Sequence, residues 1–202
     1  MQLVLQLPEE PTTLRKESDS LQDNDRFFDF CMRNQDLRIE RSAEGEVIVM
    51  PPVGFETSYQ NGEIAEQLGS WARTDGTGRT FDSNGTFILR NGAVRAPDAS
   101  WVRKSRIAKL TKEQKQRFPP LCPDFVIELK SPTDRLKTLK AKMDEWMENG
   151  AELAWLIDPD RRTVTIYRQG REPEKLVDPA VVVGEGPVKG FRLELGDIWA
   201  GL

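Results

Sequence analysis

Asp98, Glu128 and Lys130 are the residues of this 202-residue chain whose types and spacing best suit chemistry. A proline precedes Asp98, and after a gap of 29 residues the chain reads Glu128-Leu129-Lys130. Two carboxylates and a lysine delivered by neighbouring strands can hold a divalent cation against a phosphodiester. The chain has no histidine at all, which removes most other hydrolytic designs. Hard carboxylate oxygens select Mg2+ or Mn2+. Such a cation polarises the phosphoryl oxygen and generates hydroxide from bound water. A lysine beside it stabilises developing charge or orients the water. The same pattern also describes an ordinary ion pair on a strand, because P-D and E-x-K each arise often by chance.

Spacing then assigns faces. The run Pro123-Asp-Phe-Val-Ile-Glu-Leu-Lys130, closed by Pro132, predicts a strand. Alternate side chains share a face, so Phe125, Ile127 and Leu129 turn into the core while Val126, Glu128 and Lys130 turn the other way. Glu128 and Lys130 are then about 6.6 Å apart along the strand. Asp98 starts the preceding strand with Ser100 and Val102 on its face, within reach of a neighbour about 5 Å away. Asp124 also follows a proline, but it lies four residues from Glu128, about 13 Å, too far to share one ion. It reads as a strand-start or turn residue.

Two further residues are candidates. Lys142 lies four residues before Trp146 at the edge of an apolar helical stripe. It can lean toward Glu128 or simply extend its stem over apolar surface. Glu63 is placed on the first long helix, either as an acid supporting the site or as a solvent-facing residue.

The elements that must position these groups follow from periodicity. Residues 1–22 read as a lead-in with a weak strand broken by Pro8 and Pro11. Asp23 to Asn34 suits a short amphipathic helix with Phe27, Phe30 and Cys31. Leu37 to Met50 reads as a hairpin around Glu44-Gly45, stopped by Pro51-Pro52. Residues 56–74 carry Tyr59, Ile64, Leu68 and Trp71 at helical spacing, and Asp75-Gly-Thr-Gly ends that helix. Short strands follow at 79–81, 86–89, 94–95 and 97–102, divided by Asn84-Gly85 and Asn91-Gly92. After Pro132, Leu136, Leu139, Met143, Trp146 and Met147 form one helical stripe that Asn149-Gly150 closes. Leu153-Ala-Trp-Leu-Ile157 is an unbroken apolar run, suited to a strand buried on both faces. Strand, helix and buried strand make a βαβ unit, so the two strands are expected to be parallel. Thr163 to Tyr167 pairs back to give a mixed sheet. Residues 171–202 hold short strands that either cover the sheet or mediate association. The expected class is α/β (α+β), one domain over 1–202.

Composition bounds the function. At 38% hydrophobic and 31% charged residues the chain is globular. Two cysteines are too few to staple a secreted fold, and no apolar run is long enough for a membrane helix; the opening residues do not look like a signal peptide. A cytoplasmic location without membrane contact is expected. Net charge is −4, but residues 98–142 carry 12 bases against 5 acids, whereas 1–75 carry 7 against 15. A basic field around the candidate site attracts a polyanion, although Arg103 to Arg117 also fits a solvated helix or loop.

An ordered set of residues over roughly 25–170 resembles the Uma2 (DUF820) family. The set runs Val49-Met50-Pro51-Pro52, Asn84-Gly85 before Phe87, Arg95-Ala-Pro-Asp98 and Pro123 to Glu128. It continues through Ser131-Pro132, Lys142 with Trp146, and Gly150 leading to Trp155-Leu-Ile-Asp158-Pro159. This is a bacterial branch, abundant in cyanobacteria, of the PD-(D/E)xK restriction-endonuclease-like superfamily. The resemblance implies a central mixed β-sheet flanked by helices and a Mg2+-dependent nuclease site at Asp98 and Glu128. A helix lysine at the Lys142 position replaces the E-x-K lysine in many members. This chain has both, so Lys130 and Lys142 both remain candidates, and Glu63 matches loosely the superfamily's first-helix acid. The leading expectation is a DNA endonuclease. A homodimer would let two sites address two strands, though no sequence feature requires one. The main alternative is a catalytically silent nuclease-fold module that binds nucleic acid or protein, linked to mobile elements; the acidic chain and the lack of a recognisable DNA-reading motif favour it. A hydrolase of small phosphate esters is the third class.

Overall fold

The structure is a computed structural model, and it describes residues 12–14 and 21–202. The rest of the expected N-terminal lead-in lies outside the described residues. Helices α1 (Asn24–Arg33), α2 (Phe55–Asp75) and α4 (Leu136–Glu148) stand where the 3.6-residue periodicity placed them. α1 is capped by Asp23, whose carboxylate accepts the backbone N–H of Asp25 and Arg26. α2 stops at Gly76, which takes φ +72 in the left-handed region open to glycine. α4 gives way at Gly150, at φ +113.

Two sheets form. The larger is mixed, with six strands in the order β11 (Glu174–Val177), β10 (Thr163–Arg168), β9 (Leu153–Asp158), β8 (Phe125–Leu129), β7 (Ala99–Arg103), β4 (Gly78–Phe81). β8 and β9 are parallel across the α4 crossover, as the βαβ reading requires, and every other pair in this sheet is antiparallel. The smaller sheet has five strands in the order β1 (Thr12–Leu14), β3 (Val47–Met50), β2 (Arg38–Arg41), β6 (Val94–Arg95), β5 (Phe87–Ile88). The expected β2–β3 hairpin is present, but it pairs with β6 rather than joining the main sheet.

Both faces of the main sheet are covered, which is why β8 and β9 are buried along their whole length. On one face Phe125, Ile127 and Leu129 meet Ile64 and Leu68 of α2. The same core takes Phe191, Leu193, Leu195 and Ile198 from the hairpin β12 (Val181–Val183)–β13 (Arg192–Glu194) and the short helix α5 (Gly196–Ala200). The last thirty residues therefore cover the sheet. On the other face Leu139, Met143 and Trp146 of α4 pack on Val102, Val126, Ala154 and Leu156. A third cluster, with Phe27, Ile39, Val47 and Val94, seals α1 against the smaller sheet. The segment 103–117 contains only a four-residue helix, α3 (Lys104–Ile107). Among the described residues no helix is long and apolar enough to cross a membrane.

Candidate active site

The β7–β8 register pairs Ala99 with Ile127 and Ser100 with Val126. Extended by one residue, it sets Asp98 opposite Glu128. Asp98 Oδ2 closes that end by accepting the Leu129 N–H at 2.8 Å. Among the described residues its Oδ1 meets only long contacts from the Arg38 guanidinium, at 3.4 Å. Glu128 is buried to 2% exposure. Its Oε1 accepts the indole N–H of Trp146 at 2.8 Å, and Lys142 Nζ lies 2.9 Å from Oε1 and 3.2 Å from Oε2. Trp146 and Lys142 both come from α4, whose crossover carries it over the face of the sheet that bears Glu128. The helix lysine is therefore drawn into the site, not left along apolar surface.

A fourth charged group enters from the smaller sheet. β2 alternates, with Ile39 in the third core and Arg41 bonded to the Leu21, Gln22 and Gly92 carbonyls. Arg38 and Glu40 project to the other side. Glu40 Oε1 accepts from Lys142 Nζ at 3.0 Å and from the Ala96 N–H at 3.2 Å, while Oε2 accepts from Arg95 Nη1 at 3.1 Å. Arg95 Nε donates in turn to Glu145 of α4 at 2.6 Å. These groups border a cleft of about 740 Å³. Its opposite wall is Pro51, Pro52, Val53 and Phe55 at the start of α2, and the Phe55 ring is 85% exposed there.

The burial of so many charges sets their titration. Burial pushes Glu128 up to about 7; Lys142 opposes this, and the neighbouring Asp98 and Glu40 carboxylates add to it. Burial also works against ionisation of Glu40, yet Lys142 and Arg95 overturn that and hold it down at about 2. For Lys142 burial disfavours the charge, but Glu128 and Glu40 together keep it above its ordinary value, a firm ammonium.

The sequence candidates divide accordingly. Asp98, Glu128 and Lys142 meet in the cleft; Lys130 and Glu63 do not border it. The backbone of Lys130 still follows β8, bonding the Ile157 carbonyl at 2.8 Å. Its ammonium, however, bonds the Ser131 carbonyl and Asp160 of the β9–β10 turn, each at 3.0 Å. Alternation alone put Lys130 on the Glu128 face, but a turn carboxylate claims it and α4 already occupies that face. Glu63 lies one residue round α2 from the buried Ile64, on the side where Gln60 and Gln67 donate to the Ile198 and Glu194 carbonyls. It faces the C-terminal segment.

Asp124 sits at the far end of β8, buried to 1% exposure. It accepts the Arg103 N–H at 2.9 Å and pairs with the Arg103 and Arg106 guanidinia. The arginines of the basic segment 103–117 are thus engaged in ion pairs, Arg117 joining Asp25 and Asp29. Asp124→Ala is expected to leave divalent-cation affinity unchanged by calorimetry and to lower stability by about 2–3 kcal/mol through the stranded guanidinia. A loss of cation affinity matching that of Glu128→Ala would mean that Asp124 is a ligand.

Arg38, Glu40, Arg95 and Glu145 were not singled out by sequence reasoning. Alternation in β2 put Arg38 and Glu40 on one face, but no local signal announced that this face would turn toward the main sheet.

The central mixed sheet with its βαβ unit, covered on both faces, is a restriction-endonuclease-like fold. The chain belongs to the Uma2 family, described as "Putative restriction endonuclease", which it matches over residues 25–196. It is similar to the crystal structure of a putative nuclease belonging to DUF820 from Anabaena variabilis ATCC 29413, with a TM-score of 0.67 and 23% identity, covering 80% of this chain and 89% of that one. No curated protein matches the chain.

Proposed function

We propose that this chain is a Mg2+- or Mn2+-dependent endonuclease that hydrolyses phosphodiester bonds, with DNA as its first substrate. The convergence of Asp98, Glu128 and Lys142 in one cleft of a nuclease-family chain carries the reading. The residues fit a divalent cation. Asp98 and Glu128 offer hard oxygens, and among the described residues Oδ1 of Asp98 carries only the long Arg38 contact. Among the described residues no group of three or more Asp, Glu or Cys side chains is placed to hold a metal ion. The remaining positions would fall to water, backbone and substrate oxygens, the usual habit of Mg2+.

Bound there, the cation would activate water and polarise the phosphoryl group. The rest of the work falls to this chain's own side chains. Leu129 N–H and Trp146 hold the two carboxylates in place. Lys142, kept charged by its two acidic neighbours, supplies positive charge to the developing phosphorane. Phe55, exposed at the cleft mouth, offers a face on which a base can stack.

The test is cleavage of duplex DNA, single-stranded DNA and RNA with Mg2+ or with EDTA. Asp98→Asn keeps an acceptor for the Leu129 N–H and is expected to lower Mg2+-dependent cleavage roughly 10³-fold, since the cation contributes several kcal/mol. Equal cleavage by wild type and variant would reject the assignment. The lack of a third ligating acid among the described residues favours one competing reading, a nuclease-fold module that binds without cutting. The same assay separates the two, because the module would retain nucleic-acid binding while cutting nothing.

A further inference from the structure

We propose that Glu40 is a positioning residue: it holds the Lys142 ammonium independently of Glu128, so that Glu128 can take a divalent cation without stranding a buried charge. The proposal rests on the metal-dependent reading above and names a residue for it on a different sheet.

Lys142 has three protons and three acceptor groups: Glu40 Oε1 at 3.0 Å, the Ala96 carbonyl at 3.1 Å, and the Glu128 carboxylate at 2.9 and 3.2 Å. The ammonium is saturated, and Glu128 is the acceptor it shares with any incoming cation. Were Glu128 its only anion, cation binding would force a choice. Either the ammonium would keep the oxygens the cation needs, or it would be left unpaired in a site where its own side chain is only 12% exposed. An unpaired buried charge is strongly disfavoured. Glu40 removes the conflict, because Lys142 can yield Glu128 and remain paired.

Glu40 is built to stay in place while this happens. It is 2% exposed and is held by the Ala96 N–H and by Arg95. Arg95 is anchored to Glu145, three residues beyond Lys142 on the same helix. Glu40 thus grips α4 directly through Lys142 and indirectly through Arg95.

The experiment is Mn2+ titration by calorimetry on the full chain in wild type, Glu40→Gln, Lys142→Gln and the double variant. Groups that support metal-binding residues from behind typically carry 10–100-fold in affinity. Glu40→Gln, which makes Lys142 rely on Glu128, is expected to weaken Mn2+ about tenfold. In the Lys142→Gln background the same change is expected to alter affinity no more than about twofold, the signature of an effect transmitted through the lysine. An equal loss in both backgrounds would show plain attraction between Glu40 and the cation and overturn the proposal, as would wild-type affinity in Glu40→Gln. Should Glu40→Gln not fold, Glu40→Asp keeps the charge but withdraws it by one methylene. Affinity between wild type and tenfold weaker supports the proposal, and wild-type affinity overturns it. Failure of wild type to bind Mn2+ at all would overturn the metal reading itself; normal binding with a failed cycle overturns only the role of Glu40.

Discussion

Glutamine in place of Glu128 is expected to abolish Mg2+-dependent cleavage and, in the same protein, to erase a slope in stability against pH. The first effect follows from losing one of the two carboxylates that face each other across β7 and β8, and amounts to roughly 10³-fold or more. The second follows from burial, which with Asp98 and Glu40 raises the Glu128 carboxyl to about 7 despite Lys142. In the unfolded chain this group gives up its proton near the usual carboxylate value, so between about pH 4.5 and 7 the folded state binds the extra proton. Wild-type stability therefore falls as pH rises through that window, and the cost is present in full above it. Glutamine does not titrate, and its amide oxygen can still accept from Trp146 and keep the fold. Urea denaturation from pH 4.5 to 8 checks this. The wild type is expected to lose on the order of 3 kcal/mol that the variant does not lose. A parallel pair of curves would show that Glu128 ionises freely. Glu40 has the opposite sign and a separate window: held at about 2 against the penalty of burial by Lys142 and Arg95, it contributes stability above pH 4.5 that is lost as pH falls toward 2.

These effects separate what the sequence could and could not reveal. The strand carrying Glu128, the α4 crossover and the parallel β9 were legible because each depends on local periodicity: alternation in 125–129, one apolar stripe from Leu136 to Met147, and an unbroken apolar run at 153–157. Asp98 near Glu128 was legible because antiparallel neighbours set the start of one strand beside the end of the next. The Asp124 assignment rested on distance along a strand, and its capture by Arg103 and Arg106 agrees with a structural place. The smaller sheet was not legible. β5 and β6 have only two residues each, too short to announce that they pair with β2 rather than the main sheet. Without that pairing nothing brings Arg38 and Glu40 to the cleft. Glu63 shows the complementary limit: spacing left it either supporting the site or facing solvent, and the C-terminal segment that bonds its side of α2 joins more than a hundred residues later.

Lys142 and Lys130 are expected to part sharply under the same substitution. Lys142→Gln removes the only ammonium within reach of Glu128 among the described residues, and losing one such preorganised charge costs about 10²–10³ in kcat. Lys130→Gln removes a pair with Asp160, a carboxylate 61% exposed on a turn. The carboxylate left behind is exposed, so losing the pair costs little stability, and Lys130 itself does not border the cleft. Its kcat is expected to stay within a few-fold of wild type. Both variants can be measured under saturating Mg2+ with one DNA substrate, and a thermal melt of each controls for folding. The contrast follows from the fold: a strand lysine placed on the Glu128 face by alternation must compete there with Trp146 and with a helix lysine pinned by Glu40. Asp160 meanwhile offers it a partner outside. A larger loss at Lys130 than at Lys142 would return the catalytic lysine to the strand and require Lys130 to leave Asp160 whenever substrate binds.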